Sequence, residues 1–442
     1  MKSRVISKVY DFTILIVAVV FYVLMAFYLK RYETLWLIIT VAGLFGCYLY
    51  FILYSGFSVT QLLVLAVFFR ILFLFSDPEL SDDYWRFIWD GNMVRYGYNP
   101  YSHTPKEALQ IFGVFELENI YLRLNNCCTN STYTPFAQLI FYVAVLLGEI
   151  WRDPVFWMKI MVLLAEFGSA FMIINILKST GQSVRNACWY LLNPLVILEF
   201  TANLHHEVFV VFFICLVLFF LVRGNSQGVA FGLGAAVSAK LLPLIFLPGL
   251  LKGKRWLPGI IFSSVVLVIP ALCYLPWLSV DATTGFFTGL RLYFDKFEFN
   301  PSIWYVVRAI GFQLSGFNII QWAVPVMAVC SAALIFWYSL LRPGPGSSIK
   351  KPEEASRVFE VVLFIYLIFS SIVHPWYVTP LVLFAVFSGN RFGILWSGLV
   401  MITYAGYSTS GYQEYPLILA VEYFLVGAFF VLERKQIWAS ND

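Results

Sequence analysis

The feature that most constrains this chain is a long series of apolar runs separated by charged and turn-forming residues. Runs of about 17 to 25 apolar residues are typical of transmembrane helices, because the hydrocarbon core offers no hydrogen-bond partner to an open backbone. The 442 residues are 60% hydrophobic and only 12% charged. Soluble domains are about half apolar and about a quarter charged. The chain is therefore not a soluble fold, and its formal net charge of +4 is too small for a nucleic-acid-binding surface.

The pattern predicts an all-α polytopic transmembrane bundle with about 11 to 14 spans, which residues 1–442 form as a single domain. The predicted spans lie near 11–28, 35–54, 59–75, 136–150, 155–177, 187–200, 208–222, 228–251, 257–277, 318–341, 359–372, 377–387, 392–407 and 416–432. Since no small-residue cleavage site follows the first run, the amino terminus is expected to be a retained anchor.

Clusters of Lys and Arg predict the orientation, because basic residues concentrate on the cytoplasmic side of membrane proteins. Such clusters lie near both termini, at 252–255 and at 342–357. Both termini are therefore expected in the cytoplasm, and 342–357 is expected to be a cytoplasmic linker loop. Counting crossings places the long loop 76–133, the loop 279–301 and the turn 374–377 on the opposite, extracytoplasmic side.

The charges leave open how many times the chain crosses the membrane between residues 136 and 251. Lys178, Arg185 and Arg223 also have the character of cytoplasmic residues. Their placement there requires either that 136–150 does not cross the membrane or that 228–251 forms a broken hairpin. The distribution of charges does not choose between these two arrangements.

The 76–133 loop begins with a segment that places acidic residues where the hydrocarbon ends. Asp82, Arg86 and Asp90 are spaced at i, i+4 and i+8 on one helix face, and Trp85 and Trp89 repeat on the neighbouring stripe. Since Trp is enriched at headgroup level, the segment predicts an interfacial helix whose acid and base face water or a cavity. A helix with a purely structural role, stabilised by ion pairs between Asp82, Arg86 and Asp90, explains the spacing equally well.

The order of the motifs adds a family resemblance. The first-loop motifs are Asp82-Asp83-Tyr84, Trp89-Asp90-Gly91, Tyr96-Gly97-Tyr98-Asn99-Pro100-Tyr101 and Tyr133-Thr134-Pro135, and the later ones lie at 193–195, 203–207, 240–243, 299–302 and 374–377. This series resembles the GT-C glycosyltransferases, and most of all the polyprenyl-phosphate-mannose-dependent mannosyltransferases, which include the GPI mannosyltransferases. The chain departs from the Asp-x-Asp pattern of that family, because Tyr84 stands where the second acid would be and the spare acid is Asp83.

The resemblance implies a GT-C membrane glycosyltransferase. Such an enzyme moves a hexose, here expected to be mannose, from a polyprenyl-phosphate carrier to a hydroxyl of a glycan or lipid acceptor, with inversion at the sugar. The 76–133 loop would be its external catalytic loop. Asp82 is the candidate general base, because a carboxylate must take the proton of the attacking hydroxyl. Asp83 would orient the acceptor or tune the base, or would simply be a solvated residue at a helix start.

Several other polar residues stand inside or beside the motifs. The expected substrate-binding residues are Arg86, Asp90, Lys240, His374, Tyr377, His205 and Glu207. Lys240 is the main phosphate candidate, since a Lys within an apolar stretch is by default a functional hypothesis, with snorkelling as the alternative. His374 precedes Pro375 at the external end of a span, where it is suited to a hydrogen bond with sugar or phosphate, although an aromatic-belt position accounts for it too.

No CxxC or HExxH motif is present, so no metal ligand is assigned, and a divalent cation is a possible cofactor that the sequence does not favour. Two other classes fit a polytopic chain. A transporter or flippase would typically show inverted repeats with interrupted helices, which the sequence lacks. A membrane prenyltransferase would need two Asp-rich motifs for magnesium diphosphate, and only one acidic cluster is found.

Overall fold

A computed structural model describes residues 2–341, 349–409 and 411–439. Its α-helices are, in chain order, α1 (Lys2–Phe27), α2 (Thr34–Leu53), α3 (Val59–Leu72), α4 (Asp83–Arg95), α5 (Pro105–Phe112), α6 (Glu118–Tyr121), α7 (Pro135–Ile150), α8 (Pro154–Ser179), α9 (Cys188–Leu191), α10 (Pro194–Val196) and α11 (Glu207–Val222). They continue with α12 (Ser226–Ala239), α13 (Leu247–Leu251), α14 (Trp256–Tyr274), α15 (Val280–Lys296), α16 (Ile303–Ser315), α17 (Ile320–Phe336), α18 (Pro352–Phe369), α19 (Thr379–Ser388), α20 (Phe392–Leu399) and α21 (Pro416–Ala439).

Short irregular elements connect these helices. Single 3₁₀ or π turns cover Phe73–Phe75, Phe115–Leu117, Val184–Ala187, Ile197–Ala202, Leu242–Phe246, Leu275–Trp277, Trp337–Leu341, Pro375–Val378 and Val400–Gly406. The strands β1 (Tyr407–Ser408) and β2 (Gly411–Tyr412) pair antiparallel in a small hairpin. The prediction of an all-α fold is confirmed.

Six helical segments of the described chain are long and apolar enough to cross a membrane, namely Lys8–Phe27, Thr34–Leu53, Pro154–Ser179, Trp256–Trp277, Ile320–Leu341 and Pro416–Arg434. The pair Pro194–Ala202 and Glu207–Val222 is also apolar enough, but the chain bends by 119° between its halves. Five shorter apolar helices stand where further spans are predicted, and they are Val59–Phe75, Pro135–Ile150, Leu242–Leu251, Pro375–Ser388 and Phe392–Gly406. The protein is thus a multi-pass membrane bundle in which many crossing segments are short or broken.

Distant loops meet on one side of the bundle, which we call the loop face. Arg31, between α1 and α2, forms an ion pair with Asp82. The Asn99 side-chain amide donates a hydrogen bond to the Trp277 carbonyl at 3.0 Å. Phe299 forms a β-bridge with Ile372. These contacts bring 76–133, 279–301 and 374–377 to the same side, although 279–301 contains the helix α15 rather than an open loop.

Helix α7 begins and ends at the loop face. Near its start, the Thr134 hydroxyl donates to the Ala239 carbonyl at 3.1 Å, and near its end Glu149 pairs with Arg95 of α4. Just beyond it, the Arg152 guanidinium lies 5.3 Å from the centroid of the Phe75 ring. With 16 residues, α7 is about 24 Å long, which is less than the hydrocarbon thickness of about 30 Å. Both ends of 136–150 thus contact residues of the loop face, which is the arrangement expected of a segment that does not cross.

The segment 228–251 is a broken hairpin. Helix α12 ends at Ala239, and Lys240 has an extended backbone, with φ −159° and ψ 140°. The chain then returns through Leu242–Leu251, and the Lys254 ammonium donates to the Ser226 hydroxyl at 3.1 Å, at the start of α12. The contacts of both segments agree with the two arrangements that the charges left open, and together they place Lys178, Arg185 and Arg223 on the side opposite the loop face.

The predicted linker 342–357 is only partly described. Residues 342–348 lie outside the described residues, and the helix α18 already begins at Pro352. Glu353 in its first turn accepts a hydrogen bond from the side-chain amide of Gln182 at 2.6 Å, on the side of the bundle opposite the loop face.

Candidate functional site

The two adjacent acids of the predicted catalytic loop lie at the start of α4. Asp82 immediately precedes the helix, and its carboxylate makes no capping bond to the helix backbone. Instead it pairs with the Arg31 guanidinium, and the two side chains are 38% and 30% exposed. Asp83 accepts a hydrogen bond from the side-chain amide of Asn125 at 3.2 Å. Both carboxylates are therefore at the loop face, where a substrate hydroxyl could approach them.

Three aromatic rings form a stack where the 203–207 and 374–377 segments meet, and we call His205, Trp376 and His374 the ring stack. Trp376 is nearly parallel to both imidazoles, with centroid distances of 3.4 Å to His205 and 4.3 Å to His374. His205 Nε2 is 3.2 Å from a carboxylate oxygen of Glu199. The Tyr404 hydroxyl donates to the other oxygen of Glu199 at 2.9 Å. The ring stack thus contacts a buried carboxylate through His205.

Lys240 lies at the edge of the ring stack. The break after α12 brings its ammonium 3.9 Å from the centroid of the Tyr377 ring and into an ion pair with Glu207. The rings of Tyr377 and His374 meet edge to face at 5.4 Å. Five of the predicted binding residues, including His205 in the stack, are therefore gathered in one place. Their chemistry combines one cation, one carboxylate, two imidazoles and a phenol.

The β1–β2 hairpin connects the ring stack with the acids of α4. The Arg31 guanidinium lies over the Tyr407 ring at 5.1 Å, and the Tyr407 and Tyr412 rings are 4.8 Å apart. Phe299 then stacks on Tyr412 at 4.9 Å and contacts His374 at 4.4 Å. Burial raises the pKa of Tyr407 to about 12, against the opposing effect of Arg31. The phenol therefore stays protonated and offers a hydrogen-bond donor at physiological pH.

His374 has an unusual electrostatic environment. Burial, together with the nearby His205 and Lys240, holds its pKa well below the ordinary value for histidine. The imidazole is therefore neutral at physiological pH, with one nitrogen as a donor and the other as an acceptor. Its Nδ1 is buried and has no hydrogen-bond partner among the described residues. A neutral ring with an unused nitrogen is suited to bind a polar substrate group.

Arg86 and Asp90 lie apart from this site. Arg86 Nε is 2.7 Å from Asp90, and the two side chains are 2% and 0% exposed. Asp90 also accepts hydrogen bonds from the Ser131 hydroxyl at 2.5 Å and the Gln138 amide at 2.9 Å. The prediction that the acid and base of this helix face meet water or a cavity is wrong for Arg86 and Asp90, because Ser131 and Gln138 cover them. Nor does Arg86 link Asp82 to Asp90, since Asp82 pairs with Arg31. These contacts favour a structural role for Arg86 and Asp90.

Several residues of the site were not selected from the sequence. Trp376 belongs to the 374–377 motif, but nothing in the sequence shows that its ring lies between those of His205 and His374. Tyr404 and Tyr407 carry no local signal in a chain with 26 tyrosines. Arg31 had one usable signal, because it lies between two spans on the side predicted to be extracytoplasmic, where a basic residue runs against the charge bias of membrane proteins.

The described residues do not assemble a metal-binding set. No group of three His, Cys, Asp or Glu side chains within them is close enough to hold an ion. Asp82 is engaged by Arg31 and Asp83 by Asn125, so the two adjacent carboxylates do not converge on a shared position. A bridging metal of the kind that the Asp-x-Asp motif implies therefore does not fit this arrangement of residues.

Comparison with known proteins identifies the chain as a membrane glycosyltransferase. Residues 12–252 match the family model described as "Alpha-(1->6)-mannopyranosyltransferase, N-terminal domain". Because the match covers more than half of the chain, the protein belongs to this family of mannosyltransferases. GPI mannosyltransferase 1 of Debaryomyces hansenii is 25% identical over 265 residues, which are 57% of this chain and 59% of that relative's length. The matched family region contains Arg31, Asp82, Asp83, His205, Glu207 and Lys240.

Proposed function

We propose that this protein transfers mannose from a polyprenyl-phosphate carrier to a hydroxyl of a glycan or lipid acceptor. Membership of the mannosyltransferase family supports the sugar and the reaction class. The observation that carries the proposal is the single loop face that holds Asp82 and Asp83 on one side of the β1–β2 hairpin and Lys240 on the other. A base and a phosphate-binding cation are the two charged groups that such a transfer requires.

The reaction is a single displacement. The acceptor oxygen forms a bond to the anomeric carbon of mannose from the side opposite the phosphate. The bond between that carbon and the phosphate oxygen breaks, and polyprenyl phosphate leaves with the bonding electron pair. The hydroxyl proton passes to the carboxylate of Asp82, and the configuration at the anomeric carbon inverts. Asp83, already a hydrogen-bond acceptor at the start of α4, orients the acceptor hydroxyl.

Groups beside the ring stack stabilise the leaving phosphate. Lys240 offers a positive charge, and neutral His374 offers a ring N–H. Hydrogen bonds from charged donors to phosphate are shorter and stronger than those from neutral donors. Lys240 therefore stabilises the leaving phosphate more than His374 does. Trp376 and Tyr377 present aromatic surface on which a sugar ring can stack. His205 and Glu207 hold this arrangement through Trp376 and Lys240.

The loop face is assigned to the extracytoplasmic side and both termini to the cytoplasm. The support is the distribution of basic residues, because Lys178, Arg185, Arg223 and Lys254 all lie on the side opposite the loop face. A polyprenyl tail would lie along the apolar helices that surround the site, in contact with membrane lipid.

The proposal is tested with purified full-length protein, radiolabelled polyprenyl-phosphate mannose and an extract of membrane lipids and glycans. We expect labelled product and an equal amount of released polyprenyl phosphate. A parallel reaction contains a nucleotide-linked mannose of the same specific activity, from which we expect no transfer. If label moves from no polyprenyl-phosphate sugar, the proposed class of reaction is wrong. If it moves only from the nucleotide donor, the carrier is wrong. Addition of a chelator is expected to leave the rate unchanged.

A further inference from the structure

Two of the seven cysteines are adjacent in the chain and lie on the loop face. Cys127 and Cys128 stand in a turn between α6 and α7, and their sulfur atoms are 3.4 Å apart, which is hydrogen-bond distance for thiols. Cys128 is exposed and Cys127 is half-buried. The other five cysteines lie within helices, at positions 47, 188, 215, 273 and 330. A thiol reagent that reaches the loop face therefore meets both sulfur atoms together.

Hydrogen bonds tie this turn to two helices of the external loop. The Cys127 carbonyl accepts from the backbone N–H of Lys106, in the first turn of α5, at 3.0 Å. The Arg86 guanidinium of α4 donates to the Thr129 carbonyl at 3.0 Å and to the Asn126 carbonyl at 3.4 Å. The backbone on both sides of the two thiols is thus held by contacts that any movement of the turn would disturb.

A bond between adjacent cysteines cannot form without such a movement. Neighbouring Cα atoms are about 3.8 Å apart across a trans peptide, whereas the Cα atoms of a disulfide are usually about 4.4 to 6.8 Å apart. Closing the ring must therefore distort the peptide between Cys127 and Cys128, and the carbonyl of that peptide is the one that accepts from Lys106. Strained, exposed disulfides are easily reduced and are typical of regulatory sites.

The turn is also connected to an acid of the proposed site. Asn125, two residues before Cys127, donates its side-chain amide to the Asp83 carboxylate at 3.2 Å. Movement of the turn would withdraw this amide, and in the proposed reaction Asp83 orients the acceptor hydroxyl. The groups assigned to the donor phosphate, Lys240 and His374, belong to other segments. Ring closure should therefore affect acceptor binding rather than donor binding.

We propose that Cys127 and Cys128 are a redox modification site, which a low-molecular-weight disulfide oxidises to an intramolecular disulfide that weakens acceptor binding. One thiolate attacks the reagent, forms a mixed disulfide and releases one small thiol. The second attacks the protein sulfur of that mixed disulfide, closes the ring and releases the other small thiol. The protein loses two electrons and two protons, and the reagent gains them. The effect on the acceptor rests on the proposed function, and the supply of oxidant on the extracytoplasmic location of the loop face.

The first test needs no catalysis. Purified full-length protein is equilibrated with oxidised glutathione, its free thiols are alkylated, and the peptide that contains both cysteines is analysed by mass spectrometry. We expect it to lose two hydrogen atoms and to carry neither alkyl group nor glutathione, and excess reduced glutathione should reverse the change. Amide hydrogen exchange at Lys106 should be faster in the oxidised protein, because its acceptor carbonyl moves.

Two variants serve as controls. The double variant Cys127→Ser with Cys128→Ser should show no response of Lys106 exchange to oxidised glutathione. Cys330→Ser removes another exposed thiol, outside the turn, and should respond like the wild type. Alkylation of both thiols after oxidation, glutathione that stays attached to one of them, or equal exchange at Lys106 in the two redox states would overturn the proposal.

Kinetics separate this inference from the proposed function. Oxidation of the wild type should raise KM for the acceptor by about 2- to 10-fold, the size of one hydrogen bond, and leave KM for the donor unchanged. Asn125→Ala should raise the acceptor KM of the reduced protein similarly, and oxidation should then add little. If the ring forms but the reduced protein transfers no sugar, the redox site stands and the proposed reaction falls. If mannose is transferred with the same acceptor KM in both redox states, the reaction stands and the redox control falls.

Discussion

Removal of the Asp90 carboxylate should destabilise the protein far more than removal of an exposed acid on the neighbouring helix. Asp90 is fully buried and accepts hydrogen bonds from Arg86, Ser131 and Gln138. In Asp90→Ala the Arg86 guanidinium stays buried without a counter-charge. Its closest remaining partner is the Thr129 carbonyl, at 3.0 Å.

The magnitude follows from the burial of the pair. Breaking a buried ion pair by removing one partner costs about 3 to 5 kcal/mol, because the other charge is left uncompensated. The matched control is Glu149→Ala, since Glu149 pairs with Arg95 of the same helix α4 but the two side chains are 43% and 34% exposed. An exposed pair contributes about 0 to 1 kcal/mol. Both variants remove the carboxylate of a pair with arginine, one buried and further hydrogen-bonded and the other exposed.

The assay is thermal unfolding in detergent. A loss of 1 kcal/mol lowers Tm by about 2 to 4 °C in domains of 150 to 250 residues and by less in larger chains, so Asp90→Ala should lower Tm by about 3 °C or more. Glu149→Ala should leave it within about 1 °C. A double variant, Arg86→Met with Asp90→Leu, should be more stable than Asp90→Ala, because it leaves no isolated charge. Equal Tm values for Asp90→Ala and Glu149→Ala would show that breaking the buried pair costs no more than breaking the exposed one.

Three further changes test other parts of the account. Because the unfolded imidazole of His374 protonates near pH 6.5 while the buried one stays neutral, wild-type Tm should fall as pH drops below about 6.5. His374→Gln should flatten that dependence, and an unchanged slope between pH 7.5 and about 5.5 would contradict it. Gly91→Ala places a Cβ 2.6 Å from the Phe141 carbonyl oxygen and should cost about 1 to 3 kcal/mol, seen as a lower Tm. Gly46→Ala, whose Cβ meets no atom within 4 Å, should leave Tm unchanged or raise it. Lys240→Ala should raise KM for the donor about 10-fold or more in the transfer assay, whereas an effect on kcat alone would argue against phosphate binding.

Much of the fold could be read from the sequence, because the length and apolarity of a run are local properties. The helix that follows Asp82 and the gathering of three distant segments on one face were both predicted correctly. The sequence did not show that 136–150 stays on that face. Its composition is that of a span, and its close packing along α4, where Gly91 approaches Phe141, depends on residues far away in the sequence.

The residues of the site could be selected from the sequence, but the contacts between them could not be predicted, because these contacts also depend on packing between distant segments. His205, Glu207, Lys240, His374 and Tyr377 were selected because polar groups are rare and informative in an apolar chain. Their mutual contacts depend on the break after α12 and on the bend before α11, which bring residues from three segments together.

The partners of the acids were harder to foresee. Arg31 is 51 residues from Asp82, and Gln138 is 48 residues from Asp90. A spacing of four residues predicts neighbours on a helix but does not show which side the rest of the chain covers. The same helix face was therefore predicted to meet water or a cavity, whereas Arg86 and Asp90 are buried beneath Ser131 and Gln138.

The role of Asp82 as the base is decided by the initial rate of mannose transfer by Asp82→Asn at saturating donor. General base catalysis contributes about 10² to 10⁴ in rate, so the variant should be at least about 100-fold slower, with a Tm equal to that of the wild type. Asp83→Asn serves as the matched comparison and should retain more activity, because its amide can still bind the acceptor hydroxyl. A rate for Asp82→Asn equal to that of the wild type would show that Asp82 is not the base.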